Sequence, residues 1–222
     1  MVEEIRIIIA ISMFAVAAFF DVKERKIQDI IWLVCGGTGA ILYTVELPDA
    51  IDIVSMVVGV TLASTFWFFR LYAGADALAL ISLSVIFPTY HDFIIPLSMV
   101  VIATTISVIY GIVYNVAANS RTLLLDNKIF EEFDEPLYRR IAAFFLIHKR
   151  SKSEQFAFPA ERIVSGRKKF RFRYDPDDEF SKDEAYVSLA MPLTLFFLIG
   201  LLGLILFIIL PHISFGIDEF SA

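Results

Sequence analysis

Apolar residues fall into six long blocks along this chain, near 5–22, 30–47, 51–69, 73–90, 94–116 and 188–210, separated by short polar joints. A helix that crosses a bilayer needs about 17–25 predominantly apolar residues, so the blocks predict six transmembrane helices. The joints "ELPDAID" and "PTYHD" carry Pro and Asp and predict tight turns with helix caps at the membrane surface. Asp29, Asp52 and Asp92 open blocks in the manner of N-caps. Gly36, Gly37 and Gly39 in the second block, with Gly200 and Gly203 in the sixth, are expected at close helix contacts.

Only residues 117–187 break this pattern. "DEPLYRRIAAFFLIHKR" has helical spacing of apolar residues behind Asp134 as a cap and Pro136 in the first turn, which predicts a surface or interfacial helix. "RIVSGRKKFRFRY" alternates Phe170, Phe172 and Tyr174 with Arg171 and Arg173 after a Ser-Gly turn signal, which predicts a β-hairpin. The expected fold is an all-α polytopic membrane protein of six transmembrane helices with a small α+β cytoplasmic section. Its divisions are 1–116 (helices 1 to 5), 117–187 (the cytoplasmic section) and 188–222 (helix 6 and an outer tail).

Composition agrees with a membrane protein. Of 222 residues 58% are hydrophobic, whereas a soluble domain averages about 45–50%. The net charge of −6 carries less information than the placement of Lys and Arg. Lys23, Arg25 and Lys26 follow helix 1, Arg70 follows helix 3, and every other basic residue except Arg6 lies between helices 5 and 6. The positive-inside rule therefore puts the 1–2, 3–4 and 5–6 connections in the cytoplasm and both termini outside, in the plasma membrane. Glu3 and Glu4 before Arg6 have the wrong sign for a secretory leader, so the first helix is read as retained. Residues 117–173 hold 13 Lys or Arg against 7 acids, a net +6; beside a bilayer this basic, aromatic-interleaved section suits anionic lipid headgroups rather than nucleic acid.

The chemistry-bearing residues are two submerged carboxylates. Asp76 lies in the small-residue run Ala73-Gly74-Ala75-Asp76 at the head of helix 4, six residues past Arg70, so up to ~9 Å of helix separates it from the cytoplasmic surface. Asp21 closes helix 1 on the same side, just before "VKERK". An intramembrane acid is a functional candidate unless it is satisfied structurally. The structural alternatives are an N-cap of helix 4 for Asp76 and an ion pair with Lys23 or Arg25 for Asp21. If helices 1 and 4 pack through Ala10, Ala17, Ala18, Ala77 and Ser84, the two acids meet. Paired carboxylates split into an acid and a base, which is aspartic-protease chemistry. Gly74 and Ala75 then leave room for a peptide backbone beside Asp76. Cys35, the single cysteine, has no base near it, because His91 and His212 belong to the outer side and His148 to the cytoplasmic section. The same separation of the histidines argues against a metal site.

With "DVKERKIQDIIW" after helix 1, "AGAD" at the head of helix 4 and a cytoplasmic section before the last helix, the chain resembles the membrane aspartic peptidases that process type IV prepilin-like precursors, above all the archaeal preflagellin and prepilin peptidases. In that family the motif is Gly-x-Gly-Asp; here Ala73 and Ala75 occupy the glycine positions. The resemblance implies Asp21 and Asp76 as the catalytic pair. It also implies a prepilin-like or preflagellin precursor as partner, cleaved after its basic leader at the cytoplasmic face, with no metal or other cofactor. Asp175, Asp177, Asp178, Glu179, Asp183 and Glu184 form the one acidic stretch in the cytoplasmic section and are expected either to steer such a leader by charge or to serve as a solvated linker. Two other readings stay open: a small transporter with an Asp proton or cation relay, and a non-catalytic membrane scaffold.

Overall fold

The computed structural model describes residues 2–91, 93–126, 129–150, 156–172 and 185–216. The order of elements is α1 (Val2–Glu24), α2 (Asp29–Leu42), α3 (Ala50–Phe68), α4 (Gly74–Ile86), β1 (Thr89–Tyr90), β2 (Phe93–Ile94), α5 (Ile95–Asp126), α6 (Leu137–Leu146), β3 (His148–Lys149), β4 (Ala157–Pro159), β5 (Glu161–Val164), β6 (Arg167–Phe170), β7 (Tyr186–Leu189) and α7 (Leu193–Gly216). Among the described residues four helices are long and apolar enough to cross a membrane: α1, α3, α5 and α7. The other two apolar blocks are cut short. α2 has 14 residues and α4 has 13, roughly 20 Å each at ~1.5 Å per residue against ~30 Å of hydrocarbon. Hydropathy counts apolar side chains and is blind to the backbone. Pro88 forces Phe87 out of the helical region, to φ −143° and ψ 72°, and the chain turns through the antiparallel pair β1–β2. The second block unwinds at Tyr43–Val45 into turns closed on Ala40, Ile41 and Leu42.

The chain forms two compact units, one of residues 1–106 with 192–222 and one of residues 107–191. In the first, α4 is flanked by α3 and α2 and also meets α1 and α7, while α1 packs most extensively on α7. Ala77, Ala79, Leu80, Leu83 and Ile86 of α4 are buried with Ala10, Met13, Phe14 and Ala17 of α1. Large apolar side chains point outward instead, among them Leu33, Ile41, Trp67, Val101 and Phe207, the inside-out distribution that lipid-facing helices require. Polar groups in the core bind backbone across helices: Ser82 Oγ donates to the Trp32 carbonyl at 3.1 Å. Arg6 is buried and donates to the Ile86 carbonyl at the end of α4 at 3.1 Å. Its guanidinium also lies 4.1 Å from the centre of the Tyr43 ring, so it caps a neighbouring helix rather than standing free at the surface.

Several expected roles shift by a few residues. Asp49, not Asp52, is the N-cap of α3, and Asp52 closes a capping box from N3. Gln28 precedes α2 without a side-chain cap, leaving Asp29 in its first turn. Asp92 lies outside the described residues. A Cβ on Gly39 would stand 2.8 Å from Ile86, and one on Gly36 would stand 3.3 Å from Ser82 Oγ, whereas one on Gly37 or Gly203 would meet nothing within 4 Å. Gly200 is in ordinary contact range of Ala103. The tightest approach falls at Gly59, where a Cβ would run into Ser84 Oγ and lie 2.9 Å from Pro96. Gly59→Leu is therefore expected to separate α3 from α4 at a cost of about 1–3 kcal/mol or more, read as a lowered melting midpoint in detergent; an unchanged midpoint would contradict this packing.

The second unit has its own aromatic core of Phe130, Phe133, Phe170 and Tyr186. Strands β3, β7 and β4 form an antiparallel sheet in that order. The hairpin is β5–β6, turning at Ser165 and Gly166, both at positive φ (53° and 73°), the conformation a two-residue hairpin turn demands. Arg173 and Tyr174 lie outside the described residues. Pro136, rather than Asp134, occupies the N-cap position of α6. Asp134 instead pairs with Arg167 at 2.7 Å, and this guanidinium holds the Asp134 carboxyl below the usual carboxylate range. The carbonyls at the end of α6 are taken up by α5: Asn115 donates to Phe145, and Asn119 donates to Phe144 and Ile147.

Candidate functional site

Asp21 and Asp76 arrive from opposite kinds of helix end. Asp21 is in the last turn of α1, which stops at Arg25; this residue adopts φ 53° and closes the turn by donating its N–H to the Asp21 carbonyl at 3.1 Å. Asp76 is in the first turn of α4, whose N-cap is Ala73. Its N–H donates to the Ala73 carbonyl at 3.1 Å, and its carboxylate accepts from the Ala73 N–H. Asp76 thus fills half of a capping box from N3, so the expected cap appears in altered form. Asp76 lies in the electrostatic field of Asp21.

The partners of Asp21 are well defined. Its side chain is only 13% exposed, and Oδ1 stands 3.7 Å from Arg25 Nη1, which is the ion pair expected as the structural alternative. Oδ2 accepts from the Thr194 hydroxyl at 2.6 Å and from the Thr194 N–H at 3.3 Å. Thr194 belongs to the first turn of α7, and the residue before that helix is Pro192, which has no side-chain acceptor; a carboxylate delivered by α1 satisfies an amide that α7 itself leaves open. Three residues on, Phe197 packs edge-on against Phe14 of α1 at 5.9 Å and against Tyr72 at 5.8 Å. Tyr72 leads into the Ala73-Gly74-Ala75-Asp76 run. Its ring meets Phe66 at 4.8 Å, its hydroxyl pairs with Thr104 Oγ1 at 3.2 Å, and it feels the charge of Asp76. One face of α7 thereby contacts Asp21 through Thr194 and the motif loop through Phe197.

Around the motif the chain is open. Ala73 and Gly74 are exposed, Ala75 and Asp76 are half-buried, and a Cβ placed on Gly74 would meet nothing within 4 Å. Gly74 and Ala77 line the end of a cleft of ≈ 390 Å³ between α3 and α4, walled by Ala63, Ser64, Trp67, Leu78 and Ile81. An apolar cleft thus runs up to the turn that carries Asp76. Thr194 and Phe197 escape a reading of the sequence because they come from α7, more than a hundred residues away from both acids. Among the described residues no cluster of His, Cys, Asp and Glu is arranged to hold a metal. His148 is buried against Asn115, with Nδ1 and Oδ1 2.8 Å apart, and the proposed steering acids from Asp175 to Glu184 lie outside the described residues. No family model, no curated protein and no solved structure matches this chain.

Proposed function

We propose that this protein is a membrane aspartic endopeptidase that removes the basic leader of prepilin-like or preflagellin precursors at the cytoplasmic face of the membrane. The observation that carries the reading is the pair Asp21 and Asp76, two acids on separate apolar helices, the second in the field of the first and beside an apolar cleft and an unobstructed glycine. In the reaction one carboxylate takes a proton from water as its oxygen adds to the scissile carbonyl carbon. The other, protonated, gives its proton as the C–N bond breaks and the amine leaves. Neither carboxylate is consumed, and the products are a free acid and a free amine. The apolar segment that follows a prepilin-like leader suits the α3–α4 cleft, while the leader stays in water. The test is incubation of the purified protein with a prepilin-like precursor in detergent, followed by mass spectrometry of the products; an intact precursor at high enzyme concentration would remove this reading.

Six crossings are part of the same proposal. α2 and α4 complete theirs with the non-helical residues that follow them, which places both termini outside and residues 117–187 in the cytoplasm, as the distribution of Lys and Arg favours. The second unit then touches lipid through α6, whose Leu137, Tyr138, Ile141 and Phe145 recur at helical spacing and are 73%, 71%, 53% and 41% exposed. The basic excess of this section complements anionic headgroups. With Cys35 replaced by Ser, nitroxides placed at Leu137, Ile141 and Phe145 in anionic nanodiscs are expected to be accessible to oxygen and shielded from aqueous nickel. Aqueous accessibility at all three would refute the lipid contact.

A further inference from the structure

We infer that Thr194 is a positioning residue for Asp21, holding that carboxylate in the orientation from which it works on a peptide bond. The inference rests on the peptidase reading and adds to it a residue from a third helix. Two donors from one residue converge on a single oxygen, Oδ2: the hydroxyl at 2.6 Å and the backbone N–H at 3.3 Å. Together they leave Oδ1 as the oxygen that faces Arg25 at 3.7 Å, so the two oxygens are no longer equivalent. The short O–H···O distance is that of a hydrogen bond to a charged acceptor. Thr194 is fully buried, so water does not compete for its hydroxyl. Its β-branch narrows the choice of χ1, and its backbone is held in the first turn of α7. Carboxylate chemistry is sensitive to small displacements of the acting group, and without Thr194 the Asp21 side chain, at the end of a terminating helix, regains its rotamer freedom.

A purely structural role for the same contact, capping α7, is separable by experiment. Thr194→Val keeps the shape and the backbone N–H but removes the hydroxyl; Thr194→Ser keeps the hydroxyl. With the full chain in detergent and a prepilin-like precursor as substrate, Val is expected to lower kcat by about 10–100-fold with KM within about twofold and to displace the pH–rate profile, while Ser retains kcat within about threefold. Infrared difference spectra give a readout independent of turnover: the carboxylate band that disappears in Asp21→Asn shifts in the Val variant and stays in place in the Ser variant. Equal loss in Val and Ser, or wild-type kcat in Val, overturns the inference while leaving the peptidase standing. A wild-type protein that cleaves nothing, whether or not the band shifts in the Val variant, removes the peptidase reading and reduces Thr194 to a cap, which overturns the inference as well.

Discussion

Asp21→Asn and Asp76→Asn are each expected to abolish precursor cleavage, with rates about 10²–10⁴-fold below wild type, the span a positioned acid or base contributes. Asn preserves size and can still accept from Thr194 or from the Ala73 amide, so the helix-end contacts survive and the fold is expected to remain. Loss of the Asp21 anion at the start of α7 costs about 1 kcal/mol. Loss of function without loss of structure is thus the signature of chemistry rather than of capping. Wild-type activity should follow a bell with pH whose two limbs belong to the coupled pair rather than to either acid alone. Rates and melting midpoints measured side by side decide the matter. If either Asn variant keeps more than about one-hundredth of the wild-type rate, the paired-carboxylate mechanism is wrong, and Asp21 and Asp76 are helix caps.

Gly74→Leu is expected to leave a folded protein that binds its substrate poorly. The added side chain meets no atom of the protein itself, and at the first position of α4 a better helix former adds about 0.4–1 kcal/mol of stability. The same side chain fills the end of the α3–α4 cleft next to Asp76. An increase in KM of about tenfold or more, corresponding to ~1.4 kcal/mol of lost binding, is the expected reading. Gly37→Leu is the control, because Gly37 is equally unobstructed but does not line the cleft; its KM should stay at the wild-type value. Equal KM in the Gly74 variant and the wild type would exclude this cleft as the substrate's route.

The apolar blocks were enough to read the helices that carry the site, because burial in lipid demands long apolar runs whatever the neighbouring helices do. The Ser165-Gly166 turn was equally local: two residues at positive φ need only their own backbone preferences. The two acids stood out because charge is costly in an apolar segment and rare there. Tertiary structure decided the rest. Arg6 reached the Ile86 carbonyl at the end of α4 from another helix, and Gly59 became a close contact only because Ser84 and Pro96 stand over it. Asp21 acquired Thr194 because the end of α1 lies against the start of α7, 173 residues further along the chain. A carboxylate's location in a helix is written in the nearby sequence, but the donor that turns one of its oxygens depends on which helices pack side by side, and in a membrane that choice follows shape and interhelical hydrogen bonds rather than hydrophobicity.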